Sequence, residues 1–210
     1  MSVEVVAYAS VLKLNRSDIK ALKVKDAYSL HRVVYGLFED IRSESEKKGS
    51  LPSGILFSDK GGDSDSRRIL ILSDRKPHQC PQFGEIQCKP VSPSFLEADG
   101  YVFEVTINPG KRDKTTGKIV PLIGRENIRQ WFVGRAPVSW GFSVPLHTLE
   151  IFRTGVQTFE KGGQTITHSS ATFKGELRVL DRNRFVESFT KGIGRGRAFG
   201  FGFLQIVPLS

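Results

Sequence analysis

The chain has 210 residues, 39% of them hydrophobic and 25% charged, a balance that supports a packed core and excludes global disorder. Thirty-one lysines and arginines stand against 22 acids, a formal charge of +9, which favours a polyanionic partner over a neutral one. Apolar runs are as short as ILIL at 69–72, far below the roughly 20 residues of a membrane span. No membrane partner is expected.

The opening MSVEVVAYASVLKL alternates with a period of two, placing Val3, Val5, Ala7, Ala9 and Val11 on one face of a strand. It has neither the basic start nor the unbroken apolar block of a secretory leader, so a cytoplasmic location is expected. NRSD reads as a loop. Asp26 then caps a helix whose Leu30, Val33, Val34, Leu37, Phe38 and Ile41 recur at three- and four-residue steps, ending in the solvated run SESEKKGS. Strands follow at GILFS (54–58) and RRILILS (67–73), parted by the turn-rich DKGGDSDS, with a further strand at EIQCKPV (85–91). This order is that of a ferredoxin-like unit with a degraded second helix. Cys80 and Cys88 lack metal-like or disulfide-framework spacing and read as reduced thiols.

VSPSFLEADG at 91–100 marks a domain junction, dividing the chain into 1–92 and 93–210. Beyond it come a strand at YVFEVTIN (101–108), the basic turn NPGKRDKTTGK and a short helix at GRENIRQWF. Strand patterns follow at 141–159 and 164–180, turning around EKGGQ. DRNRFVESFTKGIG reads as a capped helix stopped by glycine, and FGFLQIV as the last strand. The second half repeats the element order of the first. The expected fold is α+β: two tandem ferredoxin-like (RRM-like) domains with a C-terminal glycine-rich loop.

Two segments carry candidate chemistry. In KGIGRGRAFGFGFLQIVPLS, glycines at 192, 194 and 196 permit positive φ and close backbone approach, while Lys191, Arg195 and Arg197 place cations around one hollow. The segment follows a helix and lacks a GK[ST] ending, so it is no nucleotide P-loop. Phe199, Phe201 and Phe203 share one face of the expected last strand and read as core. In DAYSLHRVVYGLF, His31 lies at the border of the apolar stripe with Tyr28 and Tyr35 on the same flank, three and four residues away. A border position keeps an imidazole hydrated enough to exchange protons near neutral pH. His78, His147 and His168 share no metal-like spacing with it, and no cofactor is expected.

Three stretches in this order, AYSLHRVVYGLF, YVFEVTINPGKRDKTTGK and KGIGRGRAFGFGFLQIVPL, resemble the CasE branch of the CRISPR repeat-processing endoribonucleases, within the RAMP superfamily. The resemblance implies two tandem ferredoxin-like domains and metal-free cleavage at the 3′ base of each repeat hairpin. It also implies retention of the product and entry into the multisubunit Cascade complex. Tyr28 and His31 match the family's catalytic pair. Some relatives carry a basic cluster in the hairpin near 153–161, where this chain has only Arg153 and Lys161, the candidates for stabilising charge on the cut phosphate. Lys111, Arg112, Lys114 and Lys118 of the middle stretch are expected along the RNA stem beside Lys191, Arg195 and Arg197. A noncatalytic RAMP-type scaffold would use the same charges without needing His31. A single-strand regulator of RRM type would show the RNP1 order, which is absent.

Overall fold

The structure, a computed structural model, describes residues 4–43, 45, 52–62, 66–161 and 163–209, with only the backbone of Lys161. Val3, most of SESEKKGS and residues 63–65 of DKGGDSDS therefore lie outside the described residues. The first half runs β1 (Ala7–Asn15), α1 (Arg16–Ala21), α2 (Ala27–Tyr35), β2 (Ile55–Gly62), β3 (Ser66–Ser73) and β4 (Glu85–Val91). Its strands form one antiparallel sheet in the order β2-β3-β1-β4. That is the ferredoxin-like order, with a loop where a second helix would stand between β3 and β4.

Alternation along β2 and β3 sends side chains to two different cores. Ile55, Phe57, Ile69 and Ile71 join Leu12 and Leu14 beneath Leu30 and Val34 of α2. Leu56 and Leu72 point the other way and pack with the second half. A sheet buried on both faces explains why ILIL is continuous rather than alternating. It also explains a correction in β1. Of the expected apolar face, Ala7 is buried but Val5 and Ala9 are exposed, whereas Ser10, Leu12 and Leu14 are the residues sealed against the helix. The NRSD loop is another. Asn15 accepts from Asp18 N–H while Asp18 reaches back to the Asn15 N–H, a capping box that starts α1. Helix α2 stops at Tyr35; Leu37 and Phe38 stay buried in the turn beyond it, and Ile41 is exposed.

The second half runs β5 (Gly100–Ile107), the small hairpin β6 (Gly110–Arg112) and β7 (Ile119–Pro121), α3 (Arg125–Arg135) and β8 (Phe142–Ser143). It continues with β9 (Glu150–Lys161), β10 (Gln164–Val179), α4 (Arg182–Lys191) and β11 (Gln205–Pro208). The order β11-β5-β10, with β8 and β9 both on the far side of β10, is the same ferredoxin-like arrangement. Tyr101, Phe103, Val105 and Ile107 of β5 meet Phe173 and Leu177 of β10 under Phe132 of α3 and Phe185 of α4. The opposite face of this sheet is polar. It carries Glu104, Thr106, Thr172 and Lys174, which floor a cleft against the first half. The 91–100 segment contains a short 3₁₀ turn, Pro93–Leu96, and is tied down: Arg182 donates to the Leu96 and Ala98 carbonyls and to Asp99. The last strand starts later than expected, so Phe199 belongs to a 3₁₀ turn, Arg197–Phe199, while Phe201 and Phe203 are buried ahead of β11.

Candidate functional site

Helix α2 begins at Asp26, whose carboxylate accepts from Ser29 N–H at 2.7 Å while Ser29 Oγ accepts from Asp26 N–H at 3.0 Å. The backbone hydrogen bond from Ser29 holds the Asp26 carboxyl below the ordinary carboxylate value, against the opposing effect of burial. Fixing the first turn fixes the side chains one turn on. Leu30 and Val34 seat in the core, and His31 is thereby turned to the helix border, half-buried.

His31 Nδ1 stands 2.8 Å from the carbonyl oxygen of Ala198. A carbonyl can only accept, so Nδ1 carries the proton, and in the neutral ring Nε2 holds the lone pair. Aromatic rings surround this imidazole: Tyr28 stacks at 6.1 Å, Tyr35 lies at 4.0 Å and Phe199 at 5.7 Å. Tyr35 is diverted from proton exchange, because burial raises its phenol above the ordinary value and its hydroxyl is bonded to Ser53 Oγ at 2.7 Å. Of the three groups expected along this edge, Tyr28 and His31 therefore remain as the candidate pair.

Tyr28 in turn stacks on Phe159 of β9, 6.4 Å away, and Phe159 packs at 4.5 Å on Phe199. The two halves of the chain thus meet at the site through rings. Phe159 also locates the hairpin cations. At about 3.4 Å per residue, position 161 lies about 7 Å along β9 from Phe159 and position 153 about 20 Å away. Arg153 lines the interdomain cleft, of about 730 Å³, with Lys25, Lys60, Arg67 and Lys174. Acids answer several of these cations: Lys60 and Lys174 pair with Glu104, and Arg67 with Asp59. Burial would raise the Glu104 carboxyl, but the hydrogen bond and charge of Lys60, with Lys174 behind them, leave it below the ordinary value.

The glycine-rich segment uses its backbone freedom inward. A Cβ on Gly202, at φ +76°, would lie 2.1 Å from the Ile193 carbonyl oxygen, and Ile193 N–H donates to the Gly202 carbonyl at 2.9 Å. Gly202 N–H donates to Thr106, and the N–H groups of Phe199 and Gly200 close the 3₁₀ turn. These four N–H groups are consequently consumed within the fold. Arg197 donates to the Lys191 carbonyl at 2.8 Å, tying down the end of α4, and exposed Lys191 pairs with Glu187 at 2.9 Å. Arg195 is exposed. What the segment presents to the site is the Ala198 carbonyl and the Phe199 ring.

Lys111, Arg112, Lys114 and Lys118 are gathered on the β6–β7 hairpin and its tip, all exposed. Asp113 shapes that tip by accepting from the Thr115 and Thr116 N–H groups, and Arg112 donates to the Gly117 carbonyl at 2.7 Å. Around Tyr28 a second depression is lined by Lys23, Lys25 and Arg32 together with Glu160. Sequence reasoning did not single out Lys23 and Lys25, and they carry no local signal beyond charge. Ala198 had none at all, since its contribution is a main-chain oxygen. Among the described residues no cluster of three metal-ligating side chains occurs, and no helix is long and apolar enough to cross a membrane. Cys80 is exposed and Cys88 half-buried, both as free thiols.

Comparison with known proteins addresses the ancestry of this arrangement. A family model described as CRISPR associated protein matches residues 7–208, almost the whole chain. The chain belongs to that family. A curated relative, the CRISPR-associated endoribonuclease Cse3 of Thermus thermophilus, is 27% identical over 131 residues, 57% of this chain and 61% of the relative. That match takes in less than two thirds of the relative's length. Solved structures extend the likeness of fold. A Cse3 endoribonuclease bound to a 19-nucleotide RNA superposes with a TM-score of 0.79 at 21% identity, covering 96% of this chain and 99% of the other. The Cas6e protein of Escherichia coli K-12 gives 0.69 at 20% identity, covering 96% and 100%. The sequence resemblance to the CasE branch therefore stands, as does the expectation of two ferredoxin-like units.

Proposed function

We propose that the chain is a metal-independent endoribonuclease that binds the hairpin of CRISPR repeat RNA and cuts the precursor at the hairpin's 3′ base. The observation that carries this reading is His31 itself: a half-buried imidazole whose Nδ1 proton is committed to the Ala198 carbonyl, beside Tyr28, at the meeting of both halves. Such a ring offers Nε2 to a proton in transit. RNA supplies its own nucleophile, the 2′-hydroxyl, so a protein that holds the backbone in line need only move protons and stabilise charge. Neutral His31 accepts the 2′-hydroxyl proton, or its protonated form delivers one to the leaving 5′-oxygen; Tyr28 shares or orients that transfer. Charge on the phosphate oxygens calls for a fixed cation. Backbone position favours Lys161 over Arg153 for that role. The products are a 5′-hydroxyl and a 2′,3′-cyclic phosphate or its 3′-phosphate descendant.

In this reading the halves 1–92 and 93–210 divide the labour. The first carries the catalytic helix. The second supplies the stem contacts, Lys111, Arg112, Lys114 and Lys118 on the hairpin with Lys191, Arg195 and Arg197 near the loop. A-form RNA conceals its base edges in a deep groove, so exposed cations on projecting loops suit recognition through phosphates. The cleaved repeat stays bound, and the complex joins Cascade-type effector subunits. The test is incubation with repeat RNA in EDTA, beside His31→Ala. Cleavage by the native chain, lost in the variant while hairpin affinity stays within about twofold, supports the nuclease. A gel shift with intact RNA would favour a noncatalytic scaffold.

A further inference from the structure

His168 is a half-buried, titratable residue that the reaction above leaves without a role. Its Nδ1 lies 2.8 Å from the Asn108 side-chain nitrogen. That amide donates, so Nδ1 accepts and Nε2 carries the hydrogen. Among the described residues Nε2 is buried with no hydrogen-bond partner, and so is Oε1 of Gln157, the residue paired with His168 across β9 and β10. The rest of the imidazole packs against rings. Its faces and edges meet three phenyl rings, Phe199 at 5.7 Å, Phe159 at 5.8 Å and Phe201 at 5.7 Å.

Those contacts lead directly to His31. Phe199 follows Ala198 in the 3₁₀ turn, and its ring contacts both His168 and His31, each at 5.7 Å. We propose that His168 is a positioning residue for the His31 reaction: anchored by Asn108, it holds Phe199, and through it the Ala198 carbonyl, where that carbonyl fixes the tautomer of His31. Asn108 directly follows β5, whose Val105 and Ile107 are packed in the core, so the anchor is referred to a rigid element. Burial and the nearby Arg195 charge both push the His168 imidazolium below its ordinary value, which keeps the ring neutral and packed while His31 exchanges protons.

The inference rests on the nuclease reading for its consequence but not for its geometry, and the two are measured separately. Nitrogen NMR of the free, histidine-labelled protein reports which nitrogen of His31 bears the proton and needs no RNA. The native chain is expected to show Nδ1–H. His168→Ala is expected to lose that signature, to cut tenfold or more slowly in single turnover at saturating enzyme, and to bind the hairpin within twofold of native. His168→Phe keeps the ring contacts but loses the Asn108 hydrogen bond, so its tautomer signature and rate are expected to fall between those of the native chain and His168→Ala. Phe199→Leu, which removes the connecting ring with a smaller loss of volume, behaves as His168→Ala does and replaces it should that variant fail to fold. The proposal is overturned if His31 keeps its Nδ1–H form in His168→Ala and Phe199→Leu, or if affinity falls in step with rate. A native chain that shows the tautomer but never cuts RNA sinks the nuclease reading and leaves the geometry standing.

Discussion

Replacing Gly202 by alanine isolates the physical reason for the glycines beside the site. At φ +76° an L-residue is disfavoured by about 1–2 kcal/mol. The new Cβ would also stand 2.1 Å from the Ile193 carbonyl oxygen, a backbone atom that cannot move alone. Relief requires separating the two segments. That costs the hydrogen bond from Ile193 N–H to the Gly202 carbonyl, about 0.5–1.5 kcal/mol net. It also uncovers part of Ile193, now 1% exposed, at roughly another 1 kcal/mol. The expected loss is about 3–4 kcal/mol, a large share of the roughly 5–15 kcal/mol by which such domains are stable. Urea unfolding at constant m measures it. Gly117→Ala is the control, because Gly117 has φ +67° but nothing within 4 Å of a Cβ, so only the conformational cost of about 1–2 kcal/mol applies. Equal losses at the two positions would refute the close backbone approach. Gly202→Ala is also expected to cleave more slowly, since the displaced segment carries Ala198.

The remaining predictions concern the cap, the junction and the RNA surface. The Asp26 carboxyl is held below its unfolded value near 3.8, so its ionised form contributes stability that is present above that value and lost as pH falls through the lowered folded value. Asp26→Asn keeps a capping acceptor and is expected to flatten this acid limb in unfolding measured between pH 5 and pH 3; an unaltered limb would remove Asp26 as its source. Arg182→Ala strips two carbonyls and Asp99 of their donor at the 91–100 segment, and chemical unfolding should register a loss of about 2–3 kcal/mol. Arg195→Ala should reduce the slope of log affinity against log salt for the hairpin by about 1, whereas Arg197→Ala should in addition lower stability by about 1 kcal/mol through the Lys191 carbonyl. Identical salt slopes for native and Arg195→Ala would place Arg195 away from the phosphates.

Much of the fold was legible because local chemistry and tertiary structure agree. Asp26 and Asp181 cap helices by sequence-near hydrogen bonds, and β3, β4 and β10 alternate or run apolar as their burial demands. Where they diverge, a distant partner is responsible. The buried face of β1 depends on α2 packing on one side of the sheet and the second half on the other, a choice that alternation cannot make. The capping box at Asn15 starts a six-residue helix that buries no residue and so leaves no apolar period in the sequence.

Sequence alone established the charge of the chain, its two-unit order and the helix bearing Tyr28 and His31, since these depend on composition and on contacts within a few residues. Tertiary structure decided what the imidazole does. Its tautomer is set by the carbonyl of a residue 167 positions away, and a main-chain oxygen leaves no mark in the choice of side chain. The glycines reveal the same division: their number was visible from the start, but whether they cradle an anion or let two segments of the same chain touch depends on where Ile193 and Gly202 lie in space.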